Sequence, residues 1–131
     1  MKKTVDNPAG VVTPRNAYSQ VVRVDIGDGA LLYVAGQIAF NAEREFIGAG
    51  DLRAQAEQVF ASLSTILASQ GATFDNVVSV RTYLTDITRL QEYAAVLAEH
   101  VTDAPPASAT VEVSRLFHPD ALIETEVVAA V

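Results

Sequence analysis

The stretch Ala30-Leu31-Leu32-Tyr33-Val34-Ala35-Gly36-Gln37-Ile38 limits the possible folds more than any other part of the chain. It is apolar at odd and even positions alike until Gln37, and a strand without a polar face belongs in the interior of a sheet, covered on both sides. Just before it, Gly27-Asp28-Gly29 supplies residues that tolerate positive φ, so the segment from Tyr18 to Val24 is expected to pair with it as a tight hairpin. Gly36 inside this strand has two readings: it lets a ligand or another backbone approach closely, or it is a packing or bulge glycine.

Two amphipathic helices are expected beside the hairpin. Leu52, Ala56, Val59, Phe60, Leu63, Ile66 and Leu67 recur at helical spacing, with Asp51 placed as N-cap and Gly71 placed to end the helix in the left-handed conformation. Asp86 is a second N-cap candidate, for a helix through about His100 with Leu90, Tyr93 and Leu97 inward. Between the helices, Phe74 to Leu84 alternates as a strand. Val78, Val80, Thr82 and Leu84 share its helix-covered face, while Val77, Ser79, Arg81 and Tyr83 share the other, which meets solvent or a polar interface.

The C-terminal third begins with Pro105-Pro106, which delivers the backbone in extended form into an expected strand from Ser108 to Leu116. The Phe117-His118-Pro119-Asp120 turn leads to a last strand, Leu122 to Val131. On that strand Glu124 and Glu126 point the same way, because side-chain direction repeats every two residues. Such a pair needs water, a donor or a cleft, so an exposed sheet face and a carboxylate-lined site are both open readings.

The resulting order β-β-α-β-α-β-β is an α+β pattern, with both helices on one side of a mixed sheet and residues 1–15 as an N-terminal arm over a single domain spanning 1–131. The face away from the helices carries Val22, Val24, Val77 and Val128 beside polar groups, and burial against identical copies in a symmetric ring would cover it.

With 131 residues, half of them hydrophobic, the chain is long enough for one core burying roughly two thirds of its unfolded surface. No cysteine is present, which removes disulfides, thiolate nucleophiles and cysteine metal sites. His100, expected exposed at a helix end, and His118, expected in a loop, lack ligand spacing, so no metal is expected. The formal net charge of -7, with the only lysines at positions 2 and 3, counts against nucleic acid as a partner. No apolar run is long enough for a bilayer and no apolar signal core follows Lys2-Lys3, so no membrane partner and a cytoplasmic location are expected. Dinucleotide loops, phosphate-binding loops and nucleophile-elbow motifs are absent.

Several short motifs, in order, resemble the RidA family, also called the YjgF family. They are Tyr18-Ser19-Gln20, Tyr33 to Ile38, the Gln55 to Leu67 helix, Thr82-Tyr83-Leu84-Thr85-Asp86, Pro105-Pro106-Ala107 with Val111-Glu112-Val113, and Leu122-Ile123-Glu124-Thr125-Glu126. The resemblance implies a chorismate-mutase-like α+β fold, assembled as a homotrimer with small-molecule pockets between subunits. It also implies cofactor-free hydrolysis of reactive enamines and imines, such as 2-aminoacrylate, to a 2-oxo acid and ammonia. In that chemistry a glutamate of the last strand, here Glu124, positions water, while Tyr18 and backbone groups beside Gly36 help to hold the substrate.

The family's carboxylate-binding arginine is replaced. Where the deaminases carry Pro-Ala-Arg-Ser, this chain has Pro106-Ala107-Ser108-Ala109, so Ser108 stands in the arginine's place. Ala94 and Ala35 likewise replace an asparagine and a serine. The expected activity is therefore deaminase-type with an altered substrate range, Ser108 and Thr110 offering hydroxyls and Arg81 being the candidate replacement cation. Arg115 belongs to the family pattern anyway and is expected on the opposite strand face. A non-catalytic trimer that binds a metabolite or partner is the alternative, and an RNA-cleaving role fits the acidic balance poorly.

Overall fold

A computed structural model describes residues 1–131, which form one six-stranded mixed sheet with two α-helices on one face. In chain order the strands are β1 (Lys2–Asp6), β2 (Val21–Ile26), β3 (Gly29–Gln37), β4 (Val77–Leu84), β5 (Ala107–Glu112) and β6 (Ile123–Ala130). Helix α1 spans Leu52–Ser69 and α2 spans Leu90–His100. Across the sheet the order is β1-β2-β3-β6-β4-β5, antiparallel except for the parallel β4–β5 edge.

The hairpin forms with Gly27 at φ 59° in its two-residue turn, and β3 lies between β2 and β6. Its even residues Leu32 and Val34 enter the core, whereas Tyr33 is half-exposed on the other face. Helix α1 starts where Asp51 accepts a hydrogen bond from the Ala54 amide at 3.1 Å, and the chain leaves it through Gly71 at φ 74°. The apolar stripe from Leu52 to Leu67 is fully buried. Asp86 caps a short 3-10 turn, Ile87–Arg89, that leads into α2, whose fully buried residues are Tyr93 and Val96 while Leu90 and Leu97 pack at the margin.

Three expectations are corrected. Residues 2–6, read as part of an arm, form edge strand β1 against β2; a five-residue strand with every side chain exposed has no apolar alternation by which to announce itself. In β4 the pairing with β6 slips by one residue between Val77 and Ser79, a β-bulge that turns Val77 into the core and leaves Val78 exposed, the reverse of their expected faces. From Val80 onward the alternation runs as expected. His100 is half-buried rather than exposed, stacked on Phe60 with ring centroids 5.0 Å apart.

Three buried glutamines tie loops to this frame. Gln55 of α1 donates to the carbonyls of Gly48 at 2.9 Å and Asp120 at 3.0 Å, and accepts from the Leu122 amide at 2.8 Å. That clamp sets where β6, and hence Glu124, begins. Gln37 donates to Gln20 Oε1 at 2.7 Å, and Gln20 in turn donates to the Val12 carbonyl at 2.7 Å, holding the 12–20 segment against the end of β3.

Candidate active site

The two faces of β6 separate cleanly. Ile123, Thr125, Val127 and Ala129 are buried beneath the helices, while Glu124, Glu126 and Val128 are half-exposed on the opposite face. The pairing of β3 with β6 shifts between Val34 and Gln37, so Ala35 and Gly36 bulge out of the ladder beside Glu124. A Cβ added at Gly36 would lie 2.3 Å from Glu124 Oε1. Both readings of Gly36 therefore hold: it sits in a bulge, and its missing side chain is the space the carboxylate occupies.

Glu124 opens onto a cavity of about 400 Å³ whose walls include Tyr18, Ala35 and Gly36. Burial, and next the neighbouring charge of Glu126, raise its pKa above the ordinary glutamate value. No protein hydrogen bond contributes to that shift, so the carboxylate is left to interact with whatever enters the cavity. Glu126 is occupied differently: it accepts a 2.5 Å hydrogen bond from the Tyr83 hydroxyl and lies 4.0 Å from Arg81. The Tyr83 pKa is raised, chiefly by that hydrogen bond. Glu126 does not line the cavity.

Of the expected site residues, Tyr18, Gly36 and Glu124 come together in this cavity. Ser108, Thr110 and Arg81 do not line it. Ser108 pairs with Val80 and Thr110 with Thr82, which puts both on the helix side of the sheet, where they neighbour the Tyr93 hydroxyl. Ser108 lines a separate depression of about 240 Å³ with Ala94, Leu97 and Pro106 between α2 and β5. Arg81 is on the open face as expected, but its side chain is 60% exposed and directed to Glu126.

Arg15, Asn16, Arg44 and Phe117 also line the Glu124 cavity, and none was singled out from the sequence. All four lie in connecting segments, without periodicity to reveal where they point. Arg44 lies in the polar turn that follows β3. There it adopts φ 61°, while Asn41 Oδ1 accepts from the amides of Glu43 at 3.0 Å and Glu45 at 2.9 Å. Its guanidinium donates to the Thr13 carbonyl and lies 5.9 Å from the Phe40 ring centroid.

No cluster of three or more His, Asp or Glu side chains is placed to hold a metal. His118 stacks on Phe46 at a centroid distance of 4.1 Å, and neither histidine lines the cavity.

The sequence profile of the family described as Endoribonuclease L-PSP matches residues 10–131. The chain belongs to this family, which includes the YjgF/RidA proteins. A RutC family protein of Sulfurisphaera tokodaii is 37% identical over 117 residues, covering 89% of this chain and 90% of that one. Among solved structures, the YyfA protein of the conserved Rid family from Yersinia pestis superposes with a TM-score of 0.89 at 30% identity, over 99% of this chain and 100% of the other. RidA from an Antarctic Psychrobacter gives a TM-score of 0.84 at 27% identity, covering 98% of both chains. The α+β fold is thus that of the RidA family from end to end. No helix in it is long and apolar enough to cross a membrane.

Proposed function

We propose that the protein is a cofactor-free hydrolase of reactive enamines or imines, acting as a homotrimer in pockets between subunits. The observation that carries this reading is the Glu124 carboxylate lodged over the bare Cα of Gly36, unpaired, at the wall of a cavity large enough for a small metabolite. An enamine first tautomerises to its imine. Water held by Glu124 then adds to the imine carbon, Glu124 taking the proton. The proton passes to nitrogen, giving a carbinolamine; Glu124 then carries the hydroxyl proton to the amino group, the C–N bond breaks as the C=O bond forms, and ammonia leaves a carbonyl compound. A carboxylate whose pKa is raised by burial is a better base for this than an exposed one.

A homotrimer is supported by the open sheet face, where Val22, Val24, half-exposed Tyr33 and Val128 have no covering element in the chain. Pairing of neighbouring subunits would bring the Ser108 and Ala94 depression of one against the Glu124 cavity of the next. In that arrangement two small residues stand where the deaminases place an arginine and an asparagine, giving a wider pocket and a substrate range different from simple 2-imino acids. The protein's negative charge and the absence of histidine from the cavity favour this chemistry over RNA cleavage.

The test is ammonia release from freshly generated 2-aminoacrylate and from a panel of neutral enamines, with wild type, Glu124→Gln and Ser108→Arg compared. Glu124-dependent release on at least one substrate is expected, with Ser108→Arg shifting preference toward 2-aminoacrylate. Failure on every substrate, together with a metabolite retained on the purified protein, would instead establish a non-catalytic binding trimer.

A further inference from the structure

Every arginine outside the Glu124 cavity except Arg115 is in an ion pair: Arg23 with Asp25, Arg53 with Glu57 and Glu99, Arg81 with Glu126, Arg89 with Glu92. Arg15 and Arg44 are different. Both line the cavity and neither is within 4.0 Å of a carboxylate, although the chain carries 16 acidic residues against 9 basic ones. In so acidic a protein, two arginines lining one cavity with no carboxylate in ion-pair reach, Glu124 included, leave a positive end that a small anion can occupy.

Arg44 is also held in place. Its backbone takes a left-handed conformation in which glycine, asparagine and aspartate are the favoured residues, and a long cationic side chain there points to a use for the side chain. The turn around it is fixed by Asn41, and the guanidinium is oriented by the Thr13 carbonyl and the Phe40 ring. Thr13 lies two residues from Arg15, in the segment that the Gln37–Gln20–Val12 relay fastens to the sheet. The two cations are thus carried on segments tied to each other and to β3.

We infer that Arg15 and Arg44 form an anion-binding end within the Glu124 cavity, so that one subunit supplies both the cation for a small carboxylate-bearing substrate and the glutamate that acts on it. The inference rests on the reading of this cavity as the substrate site. It changes what the loss of an arginine at position 108 means: the charge is relocated rather than discarded, and the ligand remains anionic. A guanidinium suits the task because its planar donors match a carboxylate in two places.

The probes are 2-oxobutanoate, a stable carbonyl acid, and butanone, its neutral counterpart without the carboxylate, each titrated calorimetrically into the full-length protein. Wild type is expected to bind 2-oxobutanoate in preference to butanone, with affinity falling as salt rises. Arg15→Gln and Arg44→Asn should each weaken 2-oxobutanoate binding by about tenfold or more. Arg115→Gln, which removes the same charge from an exposed site outside the cavity, should leave it unchanged. Asparagine accepts the left-handed backbone at 44, and melting curves of all variants identify any that fail to fold; Arg15, on an exposed segment, tests the idea independently.

Unchanged 2-oxobutanoate affinity in folded Arg15→Gln and Arg44→Asn, equal loss in Arg115→Gln, or no preference for 2-oxobutanoate over butanone would overturn the inference. Arginine-dependent binding without ammonia release from any enamine would uphold it while removing the hydrolase reading. Glu124-dependent ammonia release that neither arginine affects would do the opposite.

Discussion

Glu124 and Thr125 are adjacent on β6 and face opposite ways. Thr125 is completely buried, its hydroxyl 2.9 Å from that of Thr82, which donates onward to Tyr93 Oη at 2.8 Å. On that side every buried polar side-chain atom has a partner, and the surrounding core is apolar. Glu124, one residue earlier, has a raised pKa and no hydrogen bond from the protein contributing to it. A folded chain that satisfies its interior so fully, yet leaves a carboxylate half-buried and unmatched, has placed it for something the chain does not contain.

The sharpest way to break the contrast is to neutralise the unmatched group. Glu124→Gln should lower turnover of any accepted enamine by about 10²–10⁴-fold, with the protein still folded. An ammonia-release assay showing less than a few-fold loss would remove Glu124 from the chemistry. On the helix side the effect should reverse in kind: Leu63→Ala, at a fully buried position of α1, should cost about 2–5 kcal/mol in urea unfolding and leave the cavity residues unmoved.

Gly36→Ala probes the contact between the two sides of the ladder. The new methyl would displace the carboxylate, and a loss of about tenfold or more in turnover with little change in urea midpoint is expected. Thr125→Val keeps the shape of a buried residue but removes one hydroxyl of the chain to Tyr93; a stability loss of about 1–2 kcal/mol, with turnover nearly intact, would match its structural role.

The smallest expected effect concerns pH. Because the folded-state pKa of Glu124 is raised by burial and by Glu126, its charged form opposes folding. Below the ordinary glutamate value, about 4.3, the group is protonated in both states and costs nothing. As pH rises past that value the unfolded chain releases its proton first, so stability falls until the folded-state pKa is passed, and the penalty is then complete. Glu124→Gln should therefore melt at the same temperature as wild type at about pH 3.5 and slightly higher at neutral pH. Melting curves across that range check the sign, and a variant less stable than wild type at neutral pH would contradict it.

Much of the fold was legible because the signals were local and periodic. The hairpin turn, the α1 stripe with Asp51, and the alternation that sets Glu124 and Glu126 against Thr125 all depend on spacing along a few residues. The β1 strand and the Val77–Val78 reversal were not legible: one has no buried face, and the other depends on a bulge created by pairing with β6, some fifty residues away in sequence. Of the candidate site, Tyr18, Gly36 and Glu124 were found, whereas Arg15, Asn16, Arg44 and Phe117 were not. Loop side chains acquire direction from the segments they pack against. For Arg44 that means the Thr13 carbonyl and the Phe40 ring, neither of which its own neighbours in sequence reveal.

The sequence by itself determined the type of every element except β1, the helix side of the sheet and the face on which Glu124 stands, because 3.6-residue and two-residue periods are properties of the backbone and need no partner. Only the tertiary structure decided which groups share the cavity. Ser108 and Thr110 face the helices because parallel register with β4 aligns them with Val80 and Thr82, while Arg15 and Arg44 reach the cavity because buried glutamines and a carbonyl pin distant loops to the end of β3. Register and loop anchoring arise from contacts between residues far apart in the chain, and such contacts exist only once the chain has folded.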